Sequence, residues 1–162
     1  MMIVIQKNTN GDTRVATHVP TIEEFSQSNQ QHAEDVYKLM RVVADDLVNR
    51  GKSHDWTKQF EPHKSEFYQA MVQTLTSDID FMDTIWAKKH YVMERHHLNR
   101  KEPLTVDLID VIEMICDCVA AGLARSGKVR EVNINPHILE RAVKNTVNRL
   151  VGVCEVREGE TK

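Results

Sequence analysis

Histidine and aspartate side chains supply most of the chemistry this chain can offer. They are His32, the adjacent pair His54-Asp55, His90, the adjacent pair His96-His97, and Asp117. Imidazole nitrogen and carboxylate oxygen suit a divalent transition metal or magnesium, and neither needs an oxidising compartment. His32 lies four residues from Val36 and falls with it on one apolar helical face, whereas His54-Asp55 opens a further helix and can aim both side chains into one cavity. His90 and His97 are seven residues apart, about 10 Å along a continuous helix, too far to chelate one ion together. They would serve two ions, or one would stand behind the other. Asp110 and Asp117 also lie seven apart, with Glu113 between them. Asp117 is favoured as the distal ligand, because a carboxylate among Ile115, Cys116, Cys118 and Val119 needs a cation to stay charged.

Around this set stand candidates for handling a phosphate. Lys58 follows Asp55 by three residues and Arg95 precedes the double histidine, so both are placed to contact phosphoryl oxygens. Glu94, beside the histidines, and Glu61, just beyond Lys58, are candidates for proton transfer. His18, His63 and His137 sit in polar contexts and read as solvated. No Walker loop, GxGxxG string, HExxH or GxSxG occurs, which argues against kinase, dinucleotide-binding, zincin and serine-hydrolase chemistry.

The elements that must position these residues read as helices. Thr21 and Glu24 form a capping-box pattern, and Val36, Leu39, Val43 and Leu47 then run at helical spacing to Gly51. Pro62 fits the first turn of a helix carrying Phe67, Met71 and Leu75. Ser77 and Asp78 can cap the next, whose stripe of Met82, Ile85, Trp86, His90, Met93 and His97 is expected to end at Asn99–Glu102. Thr105 can cap another, closed by Gly127, and Asn135-Pro136 opens the last. Met2–Lys7 alternates as a strand, and Asn10-Gly11 would turn it back through Arg14–Val19 as a small N-terminal β-hairpin. The expected organisation is an all-α single-domain bundle of five to six helices at 21–151, an N-terminal hairpin or extended segment at 1–20, and a polar tail at 152–162.

Composition narrows the class. The chain has 162 residues, 41% hydrophobic, with 21 basic against 24 acidic residues for a net charge of −3. That balance gives no field for strong nucleic-acid binding, and no segment approaches the roughly 20 apolar residues that span a bilayer. Met1–Gln6 lacks the basic flank of a signal peptide, so a cytoplasmic location is expected. Three cysteines, two of them on nearly opposite faces of one helix, read as buried free thiols.

His32, then His54-Asp55 with Lys58 completing an HDxxK string, then Asp117, resembles the HD superfamily of metal-dependent phosphohydrolases over about residues 30–120. The resemblance implies an HD-type helical bundle with His32, His54, Asp55 and Asp117 on one metal. His90, His96 and His97 are similar to the extra histidines of binuclear HD phosphodiesterases, in which the HD aspartate bridges two ions, although the His90-to-His96 spacing is shorter and no GYP string follows. The segments Glu94–Asn99 and Asp110–Asp117 are also similar to a small uncharacterised HD-like family common in phage and bacterial genomes, for which the location would be the host cytoplasm. The implied activity is hydrolysis of a nucleotide or other phosphate ester, monoester or diester. One or two divalent ions (Mn, Fe, Ni, Co, Zn or Mg) would serve, with Asp55, Lys58, Glu94 and Arg95 in catalysis. The alternatives are an inactive HD scaffold that binds a nucleotide or a host protein, and a metal-free helical module whose Met-rich faces form a homo-oligomer.

Overall fold

The computed structural model describes residues 2–7, 14–98, 103–129 and 131–158. The expected turn at Asn10-Gly11 and the polar segment Asn99–Glu102 fall outside them. The described chain is mostly helical with one pair of short strands, and none of its helices is long and apolar enough to cross a membrane. Its contacts divide it into two compact units, one of residues 1–46 with 147–162 and one of residues 47–146.

The first unit contains the N-terminal part of α1 (Ile22–Ser53) and the strands β1 (Ile3–Lys7) and β2 (Cys154–Glu158). Both halves of the Thr21 capping box form. The Glu24 N–H donates to Thr21 Oγ1 at 3.2 Å and the Thr21 N–H donates to Glu24 Oε2 at 2.8 Å. The strand at Met2–Lys7 is present, but its partner differs from the expected one. Residues 14–19 are turns and bends, and β1 instead pairs in parallel with β2, with Ile3 opposite Cys154 and Lys7 opposite Glu158. The C-terminal residues expected as a polar tail thus supply a strand. The Ile3 N–H donates to the Val153 carbonyl at 2.8 Å, and Ile3 is buried. In the same unit Arg149 pairs with Asp46 at 2.8 Å.

The second unit holds α2 (Trp56–Gln59), α3 (His63–Thr76), a 3-10 turn at Phe81–Asp83, α4 (Ile85–Met93), α5 (Leu108–Ser126) and the start of α6 (Pro136–Gly152). Two helix starts differ from the sequence reading. Asp80 caps the 3-10 turn and Thr84 caps α4, in place of Ser77 and Asp78. Asp107, in place of Thr105, caps α5 through a reciprocal box with Asp110. At α5 the ionised Asp107 carboxylate accepts the free amides of the helix start more strongly than the Thr105 hydroxyl would. Gly127 closes α5 at φ 68°, a left-handed conformation that favours glycine. Leu98, Val106, Val111, Met114, Ile138 and Ala142 form one core cluster, and Ala70, Trp86 and Ala87 with Phe67, Phe81 and Tyr91 form another. The cysteines are free thiols but not buried. Cys116 is exposed, and Cys118 and Cys154 are partly so.

Candidate metal centre

Three segments of the second unit bring ligand atoms together. The first is the turn between α1 and α2, where Asp55 adopts a left-handed conformation, φ 53° and ψ 38°. Asp is among the few residues that take it up at modest cost. His54 and Asp55 therefore lie in a turn, and α2 begins only at Trp56. The second segment is α4 with the turn that follows it. Helix α4 stops at Met93, because buried Glu94 spends its carboxylate on the Thr57 N–H (2.9 Å) and the Thr57 hydroxyl (2.7 Å). Leu98, 2% exposed, then anchors the turn in the core. The third is the polar face of α5, where Asp110, Glu113 and Asp117 follow at helical spacing.

The early end of α4 overturns the expectation that His90 and His97 lie too far apart to share an ion. With the chain folding back after Met93, their Nε2 atoms are 2.8 Å apart. Around them, Asp55 Oδ1 lies 3.5 Å from His90 Nε2 and 3.6 Å from His96 Nε2. On the other side, His54 Nε2 lies 3.5 Å from Asp55 Oδ2 and 3.6 Å from Asp117 Oδ1. Separations of 3.5–3.6 Å are too long for hydrogen bonds. They match two atoms that each sit about 2.1 Å from one tetrahedral ion, which stand about 3.4 Å apart. Among the described residues, the groups His54–His96–Asp117, Asp55–His90–His97 and Asp55–Glu94–His96 could each hold a metal ion. Asp55 Oδ1 and His96 Nε2 are buried without a hydrogen-bond partner, the condition of ligand atoms meant for a cation.

The imidazoles are held from behind. His54 Nδ1 lies 3.0 Å and His96 Nδ1 3.2 Å from the same oxygen, Glu113 Oε1. His90 Nδ1 lies 2.7 Å from Thr57 Oγ1, whose own proton goes to Glu94. His54 and His90 therefore carry a proton on Nδ1 and turn the Nε2 lone pair inward, the arrangement usual for metal-binding histidines, while His96 Nδ1 lies against the Glu113 carboxylate as an ion-pair contact. The His90 ring also stacks on Trp86 at 4.6 Å.

Electrostatics separate the rings: for His54 burial lowers the imidazole, but its bond to Glu113 and the nearby Asp55 and Asp117 carboxylates outweigh it and raise the group. Burial, then the Lys58 charge, lowers His90 to about 4. Burial, then neighbouring His96 and His90, lowers His97 to about 3. Both rings are thus neutral lone-pair donors at physiological pH. Burial favours the protonated Glu113 carboxyl, but hydrogen bonds from His96, His54 and Arg50 outweigh it and hold the group at about 2. For Asp55 burial likewise raises the carboxyl, and its bond from Lys58 prevails and lowers it.

The expected residues divide accordingly. His54, Asp55, His90, His96, His97 and Asp117 come together, while Lys58 reaches the centre through Asp55. His32 lies on α1 in the first unit, where it is exposed, and it belongs to none of the candidate ligand groups. Glu94 enters one ligand group, but its first oxygen is spent on Thr57, so it positions the turn. Glu61 is exposed and accepts from the Ser65 N–H. Arg95 is committed to Asp110 at 2.6 and 2.8 Å and to the Thr105 carbonyl. Asp110 is fully buried between Arg95 and Arg50 and closes the α5 capping box, a structural place that leaves Asp117 to face the cluster. Glu113, Arg50 and Thr57 were not singled out from sequence. The 3-and-4 spacing of Asp110, Glu113 and Asp117 was the readable signal for Glu113.

The model of a family described as "Family of unknown function (DUF5662)" matches residues 21–152, and the chain belongs to that family. No curated protein and no solved structure matched the chain.

Proposed function

We propose that this protein is a metal-dependent phosphohydrolase of the HD type, acting on a nucleotide or another phosphate ester. The observation that carries the reading is Asp55. Its two oxygens face separate ligand groups, His90 and His97 on one side and His54 on the other, with His96 and Asp117 completing the ring. Two divalent ions would be held here, one by Asp55, His90 and His97 and one by His54, His96 and Asp117. Bound ions would bring the pKa of water toward neutrality and offset charge on the phosphoryl oxygens.

The chain's own groups supply the rest. Glu113 and the Thr57–Glu94 pair fix the rings, and low-lying His90 and His97 stay neutral. Lys58 supplies a positive charge at the edge of a cavity of about 590 Å³ that His90, His97 and Asp117 also line. A phosphoryl group seated there meets that charge, which is strongest where it offsets charge that grows during reaction. In the hydrolysis a water oxygen bonds to phosphorus and the ester P–O bond breaks. The departing oxygen takes up a proton, giving an alcohol and a phosphate. Three separate segments converge with unspent ligand atoms, which disfavours a metal-free interaction module.

The test is turnover of phosphomonoesters, phosphodiesters and nucleotides by metal-free protein reloaded with Mn, Fe, Ni, Co, Zn or Mg. Metal-restored hydrolysis that disappears in Asp55→Ala, with helical content retained, is expected. Metal-loaded protein inert toward all three classes would overturn the reading.

A further inference from the structure

The cavity beside the cluster has a composition that bears on its substrate. Besides Lys58, His90, His97 and Asp117, its wall is built from Phe67, Met71, Phe81, Met82, Trp86 and Tyr91. The aromatic rings brace one another. Phe67 packs on Trp86 at 4.4 Å, Phe81 on Trp86 at 5.7 Å, and Phe67 edge-on to Phe81 at 6.1 Å. The polar ends of this wall are already engaged. The Trp86 indole N–H donates to the His63 carbonyl at 2.9 Å, and the Tyr91 hydroxyl donates to Met82 sulfur at 3.2 Å. Tyr91 therefore offers the cavity mainly its ring, while Trp86, buried between His90 and Phe67, backs the wall. An unspent wall group away from the metal cluster is the buried Thr74 Oγ1, which has no hydrogen-bond partner. Arg125, exposed and without an ion pair among the described residues, adds a second cation beside Lys58.

We infer that this cavity holds the organic part of the substrate, and that it selects phosphate esters of planar, largely apolar groups over nucleotides. The inference rests on the phosphohydrolase reading for the phosphoryl end. It names the group that end is attached to. An apolar ring gains by leaving water for such a wall and packs against the half-buried Phe67, Phe81 and Tyr91, with Trp86 behind them. A nucleobase carries several donors and acceptors and, away from the metal cluster, would find Thr74 and the exposed Arg125 to meet them, so most would be left unpaired. A ribose would likewise lose water contacts without replacement. The volume is ample for a two-ring group, and Thr74 can serve one polar substituent.

The experiment compares 2-naphthyl phosphate, adenosine monophosphate and methyl phosphate as substrates, and measures 2-naphthol binding by tryptophan fluorescence. The expected result is a kcat/KM at least tenfold higher for naphthyl phosphate than for adenosine monophosphate, carried mainly by KM. Met71→Trp, which narrows the cavity from a partly exposed position, should remove that advantage and leave methyl phosphate within twofold. Binding of 2-naphthol should change the fluorescence, and Trp86→Phe should abolish the change. The naphthol measurement needs no turnover, so it stays informative if no ester is hydrolysed and the phosphohydrolase reading falls. Equal or better use of adenosine monophosphate overturns the inference, as does naphthol that leaves Trp86 fluorescence unmoved. An equal loss on all three esters in Met71→Trp would also overturn it.

Discussion

Replacing Glu113 by glutamine tests whether the histidines are held for a metal. One oxygen of Glu113 serves His54 at 3.0 Å and His96 at 3.2 Å, while the other accepts from Arg50 at 3.0 Å. Glutamine keeps a single carbonyl oxygen. If that oxygen faces the rings, the amide N–H₂ meets the Arg50 guanidinium donor to donor. If it faces Arg50, both rings lose their acceptor. Loss of such an outer partner costs about 10–100-fold in metal affinity. Because two rings share this one, the expected loss is near the upper end, about 2.7 kcal/mol. The fold should persist, since Arg50 keeps Asp110 at 2.5 Å. A lost internal hydrogen bond contributes about 1 kcal/mol, so the metal-free variant should melt only a few degrees lower. The assay titrates metal-free protein with Mn or Zn against a chromophoric chelator, with far-UV circular dichroism in parallel. Wild-type affinity, within twofold, in a fully helical Glu113→Gln protein would refute the reasoning.

Other perturbations separate the parts of the site. Thr57→Val breaks the link from His90 to Glu94, so the ion on His90 and His97 should bind about tenfold more weakly while the His54 side holds its ion, as read from the two phases of the same titration. Lys58→Met should lower kcat/KM by about 100-fold, the scale of one lost charge-stabilising donor, with metal content by elemental analysis unchanged. Burial raises Asp110, but bonds from Arg95, the Asp107 amide and Arg50 outweigh it, so its carboxyl sits below the ordinary range. A group with a depressed folded pKa contributes stability above its unfolded value near 3.9 and loses it as pH falls through the folded value. Asp110→Asn should therefore cost about 3 kcal/mol at pH 7, and its melting temperature should approach that of the wild type as the pH drops below 4.

What was legible in sequence depended on how local the signal was. The Thr21–Glu24 box, the Gly127 stop and the Asn135-Pro136 start are written in neighbouring residues, and all three mark helix ends in the structure. His54-Asp55 and Asp117 could be placed because adjacency and an apolar setting constrain a carboxylate. The end of α4 could not. No glycine or proline follows Met93, and the helix stops because Glu94 and Leu98 find partners in Thr57 and the core. That one missed boundary produced the incorrect separation of His90 from His97. The pairing of β1 with β2 depends on residues 151 positions apart, such as Lys7 and Glu158, which no local pattern reports.

Elemental analysis of the purified chain reaches the central claim most directly. Wild-type protein is expected to carry two divalent ions per chain, falling below half an ion in Asp55→Ala, which removes the carboxylate facing both groups of histidines. A wild-type protein that holds no ion after reloading and desalting, or an Asp55→Ala variant that retains both, would contradict the account.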